Sequence, residues 1–264
     1  MQFYPQYPTG GYLTGFQSAA NYSGPGGGPG PACNLADFVE PYNLEPGWTL
    51  TISVDGDPDD TATFNATPAN QHSGNADPYN VDTLTLILRV GPASEPTQTV
   101  VLAGVAATAA QVAAQIGAAI TGVQSYDAGG GEVDIDTDQQ GTGARLEIVG
   151  GTALAALGYV ANVATGTGNV ADIDAVTAGE VASIVLAAVT PDATTTVQGG
   201  RPEICSVSTG PTASLEVTGG LAQAPIGFRA GEINGFASTG LIAIRWGKSR
   251  GILVIPPAEP EPPG

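Results

Sequence analysis

A stretch of 52 residues occurs twice in this chain, and this duplication constrains the fold more than any other feature. Residues 108–159 align without a gap with residues 177–228, which lie 69 positions later, and 19 of the 52 aligned pairs are identical. TAAQVAAQIGAAIT aligns with TAGEVASIVLAAVT, and LEIVGGTALAALGY aligns with LEVTGGLAQAPIGF. Chance does not give this identity over an ungapped run, so the sequence contains a duplicated module.

The sequence before each copy indicates that one copy is inserted in the other. Residues 83–91 and 97–104 precede the first copy and read as two strands joined by a turn, because β-branched residues alternate along them. The second copy lacks a hairpin just before it, but 49–56 and 61–66 repeat the pattern far upstream. Insertion at a loop is tolerated because loop-closure entropy grows slowly with length. We predict an outer module of residues 48–66 plus 170–228, an inner module of residues 82–160, and polar connectors at 67–80 and 161–169.

Each copy carries the signature of a helix start. Thr108 with Gln111, and Thr177 with Glu180, have the spacing of a capping box, in which the threonine oxygen and the third side chain each satisfy a backbone N–H. An apolar stripe follows at helical spacing, formed by Val112, Ile116 and Ile120 in the first copy and by Val181, Val185 and Val189 in the second. Helices this short are unstable alone, so we expect each to pack on a sheet.

Two strands are predicted after each helix, at 129–138 and 144–150 in the first copy and at 202–209 and 213–219 in the second. A short helical turn then ends in Tyr159 or Phe228, which we expect to close the edge of the core. The predicted fold class is therefore α+β, with two nested ββαββ-type modules.

The sequence outside the modules differs in composition. Residues 1–46 form a predicted extended arm rich in Gly and Pro, and its first 22 residues carry six aromatic rings. Five of them are the candidate partner-binding residues: Tyr4, Tyr7, Tyr12, Phe16 and Tyr22. A disordered tail is one interpretation. The other, which we favour, is that these rings bind in a groove on a neighbouring subunit, because Tyr gives large contact area at low rotamer cost.

The C-terminal end carries a second candidate contact. Residues 235–257 read as a β-hairpin, and 258–264 as a proline-rich tail. The hairpin holds three of the seven basic residues, and its candidate partner-binding side chains are Arg245, Trp246, Lys248 and Arg250. It is either a further sheet edge or a contact surface for an acidic neighbour.

Charge and hydropathy exclude two partner classes. Seven Lys and Arg against 25 Asp and Glu give a formal net charge of −18, which repels phosphate backbones, so we expect no nucleic-acid partner. The apolar run at 100–123 is interrupted by polar residues and follows helical spacing. We therefore expect it to be a strand and a helix, with no membrane partner.

Two clusters of acidic residues are candidate sites. Asp55, Asp57, Asp59 and Asp60 lie in the first hairpin turn with a spacing that suits Ca²⁺, although the distal glutamate of an EF-hand is missing and a solvated turn is the simpler interpretation. Glu132, Asp134, Asp136 and Asp138 alternate along one predicted strand, where we expect a solvent-facing surface, with a basic partner or a cation as the alternative.

Neither His72 nor the cysteines suggest catalysis. His72 is the only histidine and lies in a polar connector, so we expect it to be solvated, with no partner for a metal site or a Ser–His pair. Cys33 and Cys205 are the only cysteines and lie far apart in sequence. We expect free thiols, with one disulfide as the alternative.

The duplicated pattern resembles a module of tailed-bacteriophage structural proteins. The resemblance rests on T-A-x-x-V-A-x-x-I/V-x-A-A, a Gly-rich turn, two strands and G-G-x-A-x-x-x-L/I-G-F/Y, and it covers about residues 48–228 twice over. It implies a non-enzymatic virion protein with no cofactor, anchored to capsid, neck or tail subunits as a homo-oligomer, for example as a head decoration or neck component. The alternative is a tail or baseplate adhesin that binds a host receptor or glycan, for which Tyr79 and Tyr126 are the candidate exposed aromatics.

Overall fold

The computed structural model describes residues 29–236 and the backbone of two further strands at 241–246 and 249–254. It is an α+β structure dominated by antiparallel sheets, as the sequence predicts at this level. In chain order the strands are β1 (Cys33–Leu35), β2 (Trp48–Val54), β3 (Asp60–Phe64), β4 (Ala66–His72), β5 (Thr85–Val90), β6 (Gln98–Val101), β7 (Val123–Gly129), β8 (Glu132–Gln140), β9 (Arg145–Gly150), β10 (Val163–Thr165), β11 (Thr167–Gly168), β12 (Ala193–Gln198), β13 (Arg201–Ser206), β14 (Ser214–Gly219), β15 (Gly231–Asn234), β16 (Leu241–Trp246) and β17 (Ser249–Val254). The α-helices are α1 (Ala109–Ala119), α2 (Leu154–Leu157), α3 (Ala178–Val189) and α4 (Gln223–Ile226), and a short 3₁₀ helix spans Ile173–Ala175.

The strands form two similar pairs of sheets. One pair has the orders β10-β9-β5-β6 and β11-β4-β8-β7, and the other has the orders β15-β14-β2-β3 and β1-β13-β12. Strands β16 and β17 pair with each other in antiparallel fashion, within the segment predicted to form the C-terminal hairpin.

Two buried clusters give the molecule two cores. The first draws its residues from 32–66 and 170–228, on both sides of a long intervening segment. The second lies entirely within 69–159. We call the parts around them the split region (residues 30–66 and 170–236) and the continuous region (residues 67–169).

Helices α1 and α3 form as their sequences predict. Thr108 and Thr177 each accept a hydrogen bond from the third backbone N–H of the helix, and the side chains of Gln111 and Glu180 return to the threonine N–H, so both capping boxes are confirmed. All six residues of the two predicted apolar stripes are buried: Val112, Ile116, Ile120, Val181, Val185 and Val189. Packing of these stripes on the sheets stabilises helices that are too short to persist alone.

The end of each duplicated copy is also confirmed. The Gly-Gly pair leads into the predicted helical turn, α2 or α4, and Tyr159 and Phe228 are buried at 4 % exposure each. The second glycine is required by a close approach. A Cβ on Gly151 would lie 2.2 Å from the carbonyl oxygen of Thr85, and one on Gly220 would lie 2.1 Å from that of Thr49, and both glycines have positive φ.

Seven of the described strands were not predicted: β1, β4, β7, β10, β11, β12 and β15. Strands β7 and β12 add a third strand after each helix, so the predicted ββαββ order is incomplete. Strands β10 and β11, and all of β4 except Ala66, lie within segments predicted to be polar connectors. Polar residues on the outward face of these strands obscured the alternation, because a strand with one solvated face needs few apolar residues.

The predicted boundary of the N-terminal arm at residue 46 is wrong. Residues 33–35 form β1, which pairs with β13, and Ala32, Ala36, Tyr42 and Leu44 are buried in the split core. Single apolar residues spaced among Pro and Gly gave no period to detect, and only pairing with distant strands buries them. Within the described ranges, no helix has the length and apolar character that a membrane span requires.

Candidate functional site

The outward face of the sheet β11-β4-β8-β7 gathers most of the polar chemistry in the continuous region. Strand register places His72 of β4 opposite Asp134 of β8, and Tyr126 of β7 opposite the same aspartate on its other side. Side chains of alternate residues share a face. We call the resulting set the carboxylate face: Asn70, His72, Tyr126, Glu132, Asp134 and Asp136.

His72 lies between two carboxylates. Its Nδ1 contacts Asp134 Oδ1, and its Nε2 lies 3.0 Å from Glu132 Oε2. The hydrogen bond to Asp134 is the main cause that raises the pKa of His72, and Glu132 adds to it, while slight burial opposes them. About half of the imidazole side chain, 47 %, is exposed to solvent, which limits the strength of both ion pairs.

Asp136 forms a second polar group beside the first. Its Oδ1 accepts a hydrogen bond from Asn70 Nδ2 at 2.6 Å, and its Oδ2 accepts one from the Tyr126 hydroxyl at 2.8 Å. This hydrogen bond, with some burial, raises the pKa of Tyr126 to about 12. Tyr126 as a residue is nevertheless 43 % exposed, so it is accessible to a partner.

The contacts of His72 differ from those of the histidine in a catalytic triad. In a Ser–His–Asp triad one imidazole nitrogen faces the nucleophile, whereas both nitrogens of His72 face carboxylates. The two carboxylates also bind opposite nitrogens, so they do not converge with the imidazole on one point where a metal would sit. An exposed ring beside hydrogen-bonding carboxylate and amide groups instead offers a surface for hydroxyl or amine groups.

The structure changes two interpretations of these residues. His72 belongs to strand β4, so its predicted place in a connector is wrong, although its side chain is exposed as expected. Tyr79 is buried at 2 % exposure, with its hydroxyl within hydrogen-bond distance of the backbone oxygens of Asn75 and Gly131. Of the two candidate exposed aromatics, only Tyr126 lies at the surface.

The aspartates of the first hairpin turn do not come together. Asp55 Oδ1 accepts from the Ser208 hydroxyl and the Ser214 N–H, both at 2.8 Å, and Asp59 Oδ2 accepts from the Thr218 hydroxyl at 3.1 Å. Within the described ranges, the carboxylates of Asp55, Asp57, Asp59 and Asp60 do not gather ligand atoms within 4.8 Å of one another. The turn is thus held by serine, threonine and backbone groups.

Cys33 and Cys205 form a disulfide, so the expectation of free thiols is wrong. They lie opposite each other on β1 and β13, 172 positions apart in sequence. The buried Glu203 carboxylate lies beside them, and its Oε2 accepts hydrogen bonds from the Thr196 hydroxyl and the Gln198 amide. Because both sulfurs are bonded to each other, this group is a covalent staple and offers no thiolate to a metal.

The predicted partner-binding residues lie mostly outside the described residues. Tyr4, Tyr7, Tyr12, Phe16, Tyr22 and Lys248 fall there, as do the side chains of Arg245, Trp246 and Arg250. The points where both extensions leave the fold are described. Gly30 and Phe236 form an antiparallel bridge, with the Gly30 N–H donating to the Phe236 oxygen at 2.9 Å.

Two carboxylates that position the helices were not anticipated. Glu40 Oε2 accepts from the N–H of Ala178 at 2.5 Å, and Asp77 Oδ2 accepts from that of Ala109 at 3.1 Å. A negative group at a helix N-terminus is favourable because it satisfies a free N–H and complements the helix dipole. The repeated tetrapeptides EPYN at 40–43 and DPYN at 77–80 were the available sequence signal.

The chain matches no model of a known protein family, and no curated protein and no solved structure matches it significantly.

Proposed function

We propose that this chain is a non-enzymatic structural protein of a tailed-phage virion, with two nested modules projecting from an anchored base. Its partners in this proposal are other virion structural proteins, of the capsid, neck or tail, and further copies of itself. The resemblance of the duplicated pattern motivates the assignment, and the geometry of the chain ends supports the anchoring part of it.

Nesting is supported by equivalent contacts in the two regions. Strand β2 pairs with β14 as β5 pairs with β9, and β1 pairs with β13 as β4 pairs with β8. Tyr42 exchanges backbone hydrogen bonds with Val176, directly before the α3 cap, and Tyr79 does so with Ala107, directly before the α1 cap. The split region then represents one module copy, and the continuous region is the copy inserted between its hairpin and its helix.

The observation that carries the anchoring proposal is the Gly30–Phe236 bridge. It holds the end of the N-terminal arm beside the start of the C-terminal hairpin segment, on the split region. The Gly30 oxygen also accepts from the N–H of Gly210 at 2.9 Å. Both extensions therefore leave the fold at one place, which leaves the continuous region free to project. Repeated attachment through such extensions multiplies weak contacts by symmetry.

The polar chemistry and the charge are in keeping with a binding role. Both nitrogens of His72 are engaged by carboxylates, which leaves neither of them facing a nucleophile. The formal charge of −18 opposes contact with nucleic acid. The proposed location is the virion, with a head-surface decoration or neck component as the favoured position.

Gold-labelled antibody against this protein, applied to purified particles of the source phage, tests the proposal. Label on the head or neck is the expected result. Particles without label, confirmed by absence of the protein from their peptide mass spectra, would overturn the virion assignment. A chain that lacks residues 1–28 should fold with an unchanged circular dichroism spectrum but fail to enter particles, and normal incorporation would contradict anchoring by the arm.

A second candidate is a tail or baseplate adhesin that binds a host receptor or glycan. The exposed Tyr126 ring beside Asn70 and Asp136 favours it, because sugars stack on aromatic rings while amides and carboxylates bind their hydroxyls. Label at the tail tip, together with glycan binding that Tyr126→Ala removes, would select this candidate. Tyr126→Phe is the control, since it keeps the ring.

A further inference from the structure

A shallow groove of about 530 Å³ runs between the edge strand β3 and helix α3 in the split region. Thr61 and Thr63 line it on the strand side, and Ile184, Ala187 and Ala188 line it on the helix side. None of its lining residues is charged, although the chain carries 25 acidic residues. This groove is therefore suited to a neutral, partly apolar partner.

The strand side of the groove has open backbone groups. Strand β3 lies at the end of its sheet order, so in the described part of the chain it pairs with β2 alone. The Asn169 side chain covers one end of the edge, because its Nδ2 donates to Thr63 O at 2.7 Å and its Oδ1 accepts from Asn65 N at 2.8 Å. By the alternation of an antiparallel strand, the N–H and C=O of Thr61 face the same side, where a further strand would pair.

The equivalent place in the continuous region is closed by glutamines. Between β6 and α1, the Gln115 side chain binds both the N–H and the C=O of Ala103, at 2.7 and 3.0 Å. Gln98 likewise binds the N–H and C=O of Thr121, at 2.8 and 3.1 Å. The duplicated alignment places Ile184 at the position of Gln115, so an apolar side chain stands where the other copy has a polar clamp.

The N-terminal arm has the chemistry that fits this groove. Residues 1–28 contain no Asp, Glu, Lys or Arg, and residues 9–24 contain no proline, so each residue of that run keeps the N–H that strand pairing needs. Tyr12 and Phe16 are four residues apart and would lie on one face of a strand. Fully extended, 28 residues span about 90 Å, which is enough to reach a neighbouring copy.

We propose that the groove between β3 and α3 receives residues 9–23 of the arm of a second copy of this chain. The arm adds as a strand to the edge of β3 and places Tyr12 and Phe16 against Ile184, Ala187 and Ala188. Strand addition of this kind takes affinity from backbone hydrogen bonds and specificity from alternate side chains. The inference rests on the anchoring role proposed above and names the surface that the arm binds.

Photo-cross-linking in the full chain tests this proposal. Benzoylphenylalanine replaces Tyr12, equal amounts of ¹⁵N-labelled and unlabelled protein are mixed and irradiated, and the cross-linked peptides are identified by mass spectrometry. We expect mixed-isotope cross-links to residues 61–63 and 183–188. Ala187→Glu puts a carboxylate into the groove and should reduce their yield about tenfold or more. Ala118→Glu, at the aligned position of α1, should leave the yield within about twofold.

Three results would overturn the inference: cross-links to other surfaces or none at all, cross-links within a single isotope only, or an equal loss in both variants. Single-isotope cross-links would mean that the arm binds its own chain. The particle test is independent of these outcomes. Protein present on particles without groove cross-links would overturn the groove alone, whereas groove cross-links with unlabelled particles would overturn the virion assignment alone.

Discussion

The split region and the continuous region share a strand framework, but they carry different side chains at equivalent positions of it. At one register position, the continuous region pairs Asn70 with Asp136 through a 2.6 Å hydrogen bond. The corresponding position of the split region pairs Cys33 with Cys205 through a disulfide. The split region must bring together segments far apart in sequence, which a covalent bond stabilises most. The continuous region is a single uninterrupted segment, and at the equivalent position its outer face carries polar side chains.

The largest expected effect is the loss of unfolding free energy when the disulfide is removed, compared with the loss when the Asn70–Asp136 hydrogen bond is removed. The double variant Cys33→Ser/Cys205→Ser should lose about 4 kcal/mol of unfolding free energy, because the bond closes a long loop in the unfolded chain. The matched variant Asn70→Ala/Asp136→Ala should lose about 1 kcal/mol. Urea unfolding followed by tryptophan fluorescence measures both, and similar losses would show that the disulfide adds nothing beyond its contacts.

The second prediction tests whether the two cores unfold independently of each other. Ile116→Ala removes a fully buried side chain of the continuous core and should reduce stability by about 3 kcal/mol. Hydrogen exchange should report lost protection in α1 with α3 retained. Val185→Ala, at the aligned position of the split core, should give the reverse pattern. Protection lost in both helices in either variant would mean that the cores unfold as one unit.

Removal of either capping threonine should cause a smaller loss of stability, of similar size for the two helices. Thr108→Ala and Thr177→Ala should each lose about 1 kcal/mol at pH 7. The stability losses of the two variants should differ at acidic pH. Burial raises the pKa of Glu180, but hydrogen bonds from Thr177 and Ala171 outweigh it, so this pKa lies below the ordinary value of 4.5.

A lowered pKa contributes stability that is present above pH 4.5 and is lost as the pH falls through the folded value. The penalty of Thr177→Ala should therefore shrink at low pH, while that of Thr108→Ala, whose partner is Gln111, should stay constant. Thermal unfolding of both variants across this range measures the difference. Parallel curves would contradict a charged box at α3.

The smallest effect concerns His72 on the carboxylate face, which has Leu35 as its counterpart in the split region. Its pKa is raised, so its ion pairs stabilise the fold fully below pH 6.5 and lose this contribution as the pH rises through the folded value. Because the side chain is half exposed, we expect at most about 1 kcal/mol. His72→Gln should therefore lose stability at pH 6 but little at pH 9.

NMR titration of this single histidine checks the premise of that prediction directly. The flanking groups are Glu132 and Asp134 on β8 and Tyr126 on β7, and replacement of Asp134 by Asn should lower the measured pKa toward 6.5. An unchanged pKa in that variant would contradict the assigned cause.

Much of the local structure was predictable because its signals are local. The capping boxes, the apolar stripes and the hairpins at β2–β3 and β5–β6 depend on residues within a few turns of one another. The missed strands β1, β4, β7, β10, β11, β12 and β15 are short or polar on one face. Each of them owes its strand conformation to a neighbour. The repeated tetrapeptides at 40–43 and 77–80 were the sequence signal for the carboxylates that contact the two helix N-termini. They lie outside the aligned stretches 108–159 and 177–228.

The candidate site was less predictable than the fold. Alternation along β8 placed Glu132, Asp134 and Asp136 on one face, but nothing in the sequence assigned His72 and Tyr126 to the strands on either side. The turn at 55–60 had a spacing that suits a cation, yet its carboxylates turn toward Ser208, Ser214 and Thr218. Side-chain direction depends on the partners available in space, which spacing does not specify.

The sequence by itself determined the duplication, the two helices with their caps and the strand pairs that flank short turns, because these follow from contacts within short segments. Tertiary structure alone decided that Cys33 meets Cys205, that His72 lies between two carboxylates and that Gly30 meets Phe236. Each of these contacts joins segments separated by about 60 to 210 residues, and at such separations it is the register of the paired strands that selects the partners.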